Sequence, residues 1–137
     1  MAAERERRAQ LARAQEVLTS VVYFDYDSDQ LTAETEERLQ MKASILRANP
    51  TMQLRVEGHA DERGSTEYNL ALGQRRAESV RTFLAGYGIQ ANRLGTISYG
   101  KERPAVEGST ETAWSRNRRA EFAVTAGEIS AIPPEVR

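Results

Sequence analysis

The stretch GHADERGSTEYNLALGQRRA, Gly58–Ala77, joins a predicted strand to a long predicted helix and carries charged side chains of both signs. Before it, residues 52–58 alternate apolar with polar side chains, as a half-buried strand does. After it, apolar residues recur at intervals of three and four over 70–87, the strongest helical pattern in the chain. The turn carries Asp61, Glu62 and Arg63, and the helix carries a basic pair, Arg75 and Arg76. An acid in the turn and an arginine on the helix predict a pocket with two charges. Such a pocket suits a ligand with an ammonium group and a carboxylate close together.

The helix after the turn has a predicted buried stripe that includes a glycine. Glycine inside a helix costs about 1 kcal/mol relative to alanine, so Gly73 predicts a close approach of the helix to its neighbour. The predicted stripe consists of Leu70, Gly73, Ala77, Val80, Leu84 and Tyr87.

The other segments extend this unit in both directions. Helices are predicted over 2–19, 33–48 and 66–87, a short helical turn over 112–117, and strands over 20–25, 52–58, 94–99 and 119–125. The order β-α-β-α-β-β predicts an α+β sandwich in which two long helices pack on a mixed four-stranded sheet. Residues 1–19 are expected to form an exposed helical linker, 20–126 the folded domain and 127–137 a loose tail.

The composition limits the classes of function. A length of 137 residues fits one domain, and 19 basic against 20 acidic residues give no general attraction for nucleic acid. The absence of cysteine excludes disulfides, thiolate metal sites and a cysteine nucleophile. No apolar run reaches the ~18 residues that span a bilayer, and the N-terminus lacks the apolar region of a secretory signal. Two alternatives stay open: a cytoplasmic protein, or a chain that begins after a removed signal.

The acidic loop 25–36 indicates an alternative function as a calcium-binding module. Its acids occupy positions 1, 3, 5 and 12 of an EF-hand-like pattern. They are Asp25, Asp27, Asp29 and Glu36. Against calcium, Gln30 stands where the sharp turn needs glycine, and a strand rather than a helix precedes the loop.

Metal, catalytic and nucleic-acid sites are each less favoured. A zinc site with His59, Glu57 and Asp61 needs three ligands within five residues at a strand end, which is poor geometry. Two of the acids Glu57, Asp61 and Glu62 could form the carboxylate pair of a glycosidase, but the sequence shows no pattern of a sugar-binding cleft around them. Acids interleaved with the aromatic residues disfavour a nucleic-acid platform. The sequence therefore predicts a non-enzyme with no metal, no cofactor and no nucleic-acid partner.

Four stretches in order resemble the OmpA-like domain, and within it the peptidoglycan-associated lipoprotein (Pal) branch. They are VYFDYDSDQL (22–31), VEGHADERGSTEYNLALGQRRAESV (56–80), SYGKERPAV (98–106) and SRNRRAEF (115–122). The resemblance implies a periplasmic module that binds the meso-diaminopimelate of peptidoglycan stems without catalysis. It also implies a lipid anchor in the outer membrane of a Gram-negative envelope, in a Tol-Pal system with a TolB-type partner. The lipidated cysteine of that branch is absent from this chain.

The resemblance also implies the roles of the site residues. Asp61 is expected to bind the ammonium group of diaminopimelate, and Arg76 its carboxylate through two donors. Tyr26 and Asp27, after the first strand, are expected to line the pocket, with Leu72 against the methylene chain. Supporting or rim contacts are expected from Asn69, Asn117 and Arg118.

The reach from Asp61 to Arg76 is the geometric difficulty of this site. Arg76 lies about ten residues into the helix, about 15 Å along its axis. The turn 61–64 must therefore fold back over the helix, which Gly64 permits. Alanine at either charged position is expected to abolish binding and to leave the fold intact.

Overall fold

Four α-helices and four β-strands follow one another along the chain, and the computed structural model describes all residues, 1–137. The helices are α1 Ala2–Thr19, α2 Ala33–Ala48, α3 Thr66–Gly86 and α4 Glu111–Asn117. The strands are β1 Val22–Tyr23, β2 Gln53–His59, β3 Leu94–Gly100 and β4 Arg119–Ala126. Short 3-10 turns cover Ala91–Arg93 and Pro134–Val136. None of the helices has the length and the apolar character needed to cross a bilayer.

The strands form one sheet in the order β1-β4-β2-β3. β2 is parallel to β3 and antiparallel to β4, which is antiparallel to β1. The predicted α+β class with a mixed four-stranded sheet is therefore confirmed. Because β2 is central, the turn that carries Asp61 leaves the sheet between β3 and β4.

Side-chain caps fix where the two long helices begin. The side-chain oxygen of Thr32 accepts a hydrogen bond from the Thr35 amide, and that of Ser65 accepts one from the Tyr68 amide. Both contacts satisfy amides that the first turn of a helix leaves unpaired. The Ser65 cap places the first turn of α3 directly after the turn 61–64.

β2 and α3 touch through their glycines. A Cβ atom on Gly58 would lie 1.7 Å from the Gly73 carbonyl oxygen, and a Cβ on Gly73 would lie 2.2 Å from the Ser98 hydroxyl oxygen. No side chain fits at either position, so the prediction of close packing at Gly73 is confirmed. This contact holds α3 against the end of β2 from which the Asp61 turn departs.

The buried face of α3 differs from the predicted stripe at its two ends. Leu70 and Tyr87 are 39% and 41% exposed, so the prediction that they are buried is wrong. Asn69, Leu72 and Arg76 are buried instead. The start of α3 faces the turn after β2 and the loop after β1, where Asn69 and Arg76 bind backbone carbonyls, and Tyr87 is the C-cap residue at which the helix has ended.

The N-terminal helix and the C-terminal residues differ from the exposed linker and loose tail that the sequence predicts. Ala14 and Leu18 of α1 are fully buried, and Ile132 and Val136 join the same core. The narrow apolar stripe of α1 packs against α2 and β4. The Asn49 side chain holds the C-terminal segment through the backbone of residues 130–131.

Lys42 of α2 secures the end of α1. Its fully buried ammonium group donates to the carbonyl oxygens of Val17, Leu18 and Ser20 at 2.8, 3.0 and 2.7 Å. The last turn of a helix leaves such carbonyls without backbone partners. Burial, with a smaller contribution from Arg38, lowers the pKa of Lys42 to about 7.

We expect Lys42→Met to lower the free energy of unfolding by about 1–3 kcal/mol, because buried carbonyls lose their donor while most of the side-chain volume is kept. Urea denaturation followed by circular dichroism measures the change. Arg38→Met, one turn earlier on a half-exposed side chain, serves as the control and should change stability little. Equal stability of the Lys42 variant and the wild type would contradict the capping role.

Candidate functional site

A cleft of about 180 Å³ lies between the loop after β1, the turn after β2 and the first turns of α3. Its lining contains both charged residues that the sequence predicts for the pocket. The lining residues are Tyr26, Asp27, Asp61, Arg63, Gly64, Tyr68, Asn69, Leu72 and Arg76. Of the predicted site residues, only Asn117 and Arg118 lie outside this set.

Asp61 is a buried anion held by its own turn. Its Oδ1 accepts from the Arg63 amide and Nε at 3.0 and 3.2 Å, and its Oδ2 accepts from Arg63 Nη2 at 2.7 Å. Arg118 Nη1 lies 3.9 Å from Oδ2 on the inner side. Burial alone would raise the pKa of Asp61, but the hydrogen bonds from Arg63 outweigh it and hold the pKa below its ordinary value. Asp61 is therefore ionised at neutral pH.

Arg63 is a cleft residue that the sequence does not predict. Its guanidinium lies between the rings of Tyr26 and Trp114, 4.1 and 3.9 Å from their centroids, while it pairs with Asp61. Stacking on two rings stabilises a cation and restricts where the side chain can go. The only local sign is the Asp61–Arg63 spacing of two, which is typical of a turn acid that binds its own backbone. Tyr26 and Trp114 are distant from Arg63 in sequence, so the sequence does not show that their rings stack on its guanidinium.

Arg76 is fully buried and is held by three backbone carbonyls. Its Nε, Nη1 and Nη2 donate to the oxygens of Ser28, His59 and Asp25 at 2.9, 2.8 and 3.1 Å. Burial lowers the pKa of Arg76 to about 10, which leaves it charged at neutral pH. A guanidinium has five N–H donors, so each terminal nitrogen keeps one hydrogen for a further acceptor.

This burial conflicts with the expectation that Arg76→Ala leaves the fold intact. The side chain joins the loop after β1 to the end of β2 through carbonyls on both. Removing it leaves an internal space and unpaired carbonyls, which destabilises a domain. Asp61 is the better position at which to separate binding from folding.

The turn after β2 folds back over α3. Asp61 and Arg76 therefore line one cleft, although Arg76 lies about ten residues into the helix. Gly64 has a positive φ of 99°, a conformation that side chains disfavour. The Asn69 side-chain Nδ2 donates to the Arg63 carbonyl at 2.9 Å and fixes the fold-back from the helix side. The Asp61 carboxylate also acts to raise the pKa of Arg76, against the effect of burial.

The loop after β1 supplies the outer wall of the cleft. Tyr26 is 61% exposed, and Asp27 has a positive φ of 52°, which is uncommon for a residue other than glycine. Asp27 accepts a short hydrogen bond from the Tyr68 hydroxyl, and this tyrosine is a second lining residue that the sequence does not single out. The loop is therefore joined to α3 on the solvent side as well as through Arg76.

Asn117 and Arg118 lie behind the cleft rather than at its rim. The Asn117 side chain binds the backbone of Ala105 and Val106 and shapes the loop between β3 and α4. Arg118 donates to the Phe24 carbonyl at 2.9 Å and pairs with Glu111 at 3.0 Å. It lines a separate groove of about 380 Å³ along β1. Both residues position the loops that surround Asp61.

The acids of the 25–36 loop have separate partners. Asp27 binds Tyr68, Asp29 lies 3.3 Å from the Arg75 Nε, and Glu36 lies in the first turn of α2. They do not converge on one point as calcium ligands must. The geometry therefore does not support the calcium-binding alternative.

Comparison with known proteins agrees with the fold. The model of the OmpA family matches residues 23–118. A peptidoglycan-associated lipoprotein of Haemophilus influenzae is 51% identical over 104 residues, 76% of this chain and 68% of that protein. One from Brucella melitensis is 50% identical over 99 residues, 72% of this chain and 59% of that protein.

A solved structure gives the same result for the fold. The crystal structure of the peptidoglycan-associated lipoprotein from Burkholderia pseudomallei superposes with a TM-score of 0.75 at 41% identity, over 77% of this chain and 89% of that one. The matched region contains the whole cleft, from the loop after β1 to the start of α3. On this evidence the chain belongs to the OmpA family.

Proposed function

We propose that the chain binds peptidoglycan without catalysis, through the meso-diaminopimelate of its peptide stems. The observation that carries this proposal is the pairing of a buried anion, Asp61, with a buried cation, Arg76, in one cleft of about 180 Å³. The name peptidoglycan-associated lipoprotein of relatives about half identical to the chain supports it.

The chemistry of the ligand matches the two charges. The free end of diaminopimelate carries an ammonium group and a carboxylate on one carbon. The ammonium group donates to Asp61, and the carboxylate accepts from the two remaining hydrogens of Arg76. Leu72 on the cleft wall provides an apolar contact for the methylene chain. A lysine in a stem has the ammonium group but not the carboxylate, so Arg76 discriminates between the two.

The size of the cleft limits what it accepts. Pockets for drug-sized molecules have volumes of about 300–1,000 Å³, and this cleft is smaller. It therefore takes one amino-acid end of a stem rather than a glycan segment. Its carboxylate Asp61 is ionised and paired, whereas a general acid needs a raised pKa, which favours binding over hydrolysis.

Arg63 makes each single contact weak. Both oxygens of Asp61 already accept hydrogen bonds from Arg63, so a ligand ammonium group must share or replace them. Many identical stems on the wall compensate through avidity when the protein is held on a membrane.

The same proposal includes the setting of the protein. We place it at the periplasmic side of the outer membrane, where it tethers that membrane to the cell wall in a Tol-Pal type system. A lipid anchor outside this chain and a TolB-type partner complete the assembly. The lipoprotein names of the relatives support the anchor. The chain covers only about two thirds or less of their length, 68% and 59%.

A titration with two stem peptides tests the ligand. We expect a diaminopimelate stem to bind at least about tenfold more tightly than the matched lysine stem, because one charge-assisted hydrogen bond is worth about 1.5–3 kcal/mol. Trp114 is the only tryptophan and stacks on Arg63, so its fluorescence reports changes at Asp61. Calorimetry provides a second measurement. Equal affinity for both peptides, or no binding of either, would overturn the proposal.

A further inference from the structure

Three side chains with metal-binding atoms meet on the sheet face opposite the helices. Glu57 on β2 and Glu121 on β4 are direct cross-strand partners, and His59 follows Glu57 by two residues on the same strand. Leu54 and Val56 alternate with this set and are buried against the helices. The potential ligand atoms of the three residues all lie within 4.8 Å of one another.

His59 is a buried polar side chain without a partner. It is 2% exposed, and neither ring nitrogen has a hydrogen bond. Burial of an unpaired polar group is costly, and native structures rarely leave one without a reason. An unpartnered imidazole nitrogen beside two carboxylates is a ligand atom that many metal ions accept.

The two carboxylates keep one oxygen each for a further ligand. Like charges directly opposite on neighbouring strands repel, and each is neutralised by one arginine. Arg55 donates to Glu57 Oε2 at 2.9 and 2.7 Å, and Arg119 donates to Glu121 Oε2 at 2.6 Å. The arginine hydrogen bonds all end on Oε2. The Oε1 atoms are therefore the available donors.

From this geometry we infer a binding site for a divalent transition-metal cation of the zinc class, formed by Glu57, His59 and Glu121. Imidazole nitrogen and carboxylate oxygen are both ligand types that zinc accepts, and in open zinc sites three protein ligands are completed by water. The nitrogen donor disfavours calcium and magnesium, which prefer oxygen.

The site can contract onto a cation with small movements. The ligand atoms of a tetrahedral zinc ion are about 3.3 Å apart. The ligand atoms of these three residues lie within 4.8 Å of one another, so they must move closer together to bind zinc. The Glu121 side chain is 37% exposed and can rotate inward. Arg55 is 43% exposed and can turn toward solvent, which relieves its repulsion of the cation.

The strand pairing explains why sequence spacing misses this site. Spacing groups His59 with Glu57 and Asp61, which is poor geometry for zinc. In the fold, Asp61 faces the cleft, and Glu121 takes the third place from the adjacent strand.

Zinc titration of the full chain without a histidine tag tests the inference. We expect one zinc ion per chain in competition with a chromophoric chelator, and no comparable binding of calcium or magnesium. Because His59 is the only histidine, its imidazole signals in ¹⁵N NMR should shift as zinc is added. E121Q should weaken zinc affinity at least about tenfold, because it replaces a charged ligand by a neutral one, and even loss of an outer-shell partner of a ligand costs about 10–100-fold. E128Q, an exposed position beyond β4, is the matched control and should bind as the wild type does.

Three results would each refute the site. They are equal zinc affinity in E121Q and the wild type, zinc binding that leaves the imidazole signals unchanged, and the absence of binding. Circular dichroism of E121Q establishes that the fold is kept, which the partial exposure of Glu121 favours.

Discussion

Gly58→Ala should lower the free energy of unfolding by more than about 4 kcal/mol, a loss that few single substitutions cause. The new methyl carbon would lie 1.7 Å from the Gly73 carbonyl oxygen, which is backbone and cannot rotate away. Relief requires that α3 moves off the central strand β2, so the core between them opens. Native domains have a free energy of unfolding of about 5–15 kcal/mol, so this loss should leave the variant marginally stable or partly unfolded.

Gly86→Ala is the matched control for this experiment. It makes the same chemical change at the last residue of α3, where an added Cβ meets nothing within 4 Å. Alanine is the better helix former, so stability should stay equal or rise by up to about 1 kcal/mol. Urea denaturation of both variants gives the comparison. Similar stability of the Gly58 variant and the wild type would show that the close contact is not rigid.

Asp61→Asn should remove most of the binding to diaminopimelate stems. The substitution keeps the shape of the side chain and removes its charge, so the ligand ammonium group loses a charge-assisted partner worth about 1.5–3 kcal/mol. Affinity for a single stem peptide should fall about tenfold to a hundredfold. Because avidity multiplies such losses, retention on purified sacculi should disappear.

The control for Asp61 makes the same change in net charge at a distant site. Glu37 is exposed on α2, and Glu37→Gln should bind as the wild type does. Circular dichroism should show both variants folded, since Arg63 is partly exposed and can be solvated when its partner is lost. Normal retention of the Asp61 variant would remove the proposed role of this carboxylate.

Local signals allowed most of the fold to be predicted. α2 and α3 begin where Thr32 and Ser65 offer side-chain caps, and the alternation in β2 and β4 identifies their buried faces. The sequence pattern predicts the first strand over 20–25, but only Val22 and Tyr23 pair with β4. Strand ends depend on where the partner strand ends, which sequence alone does not show.

The site was only partly predictable for a similar reason. The charge pattern shows acids in the turn and arginines on the helix, and the resemblance to the OmpA-like domain selects Asp61 and Arg76 among them. The sequence does not predict Arg63, because its position depends on stacking against Tyr26 and Trp114, which only the tertiary fold brings next to it. Leu70 and Leu72 fit a helix equally well, and only the way α3 packs in the fold decides that Leu72 is the buried one.

The three carbonyl contacts of Arg76 bear on the entropy of binding. A free arginine side chain has about 2 kcal/mol of rotamer entropy at room temperature. A flexible arginine loses this entropy when it binds a ligand. Arg76 has already lost this freedom during folding, because its guanidinium is fixed by Ser28, His59 and Asp25. Under the proposed function, the ligand carboxylate would meet donors already oriented, so more of the hydrogen-bond energy would be available as affinity.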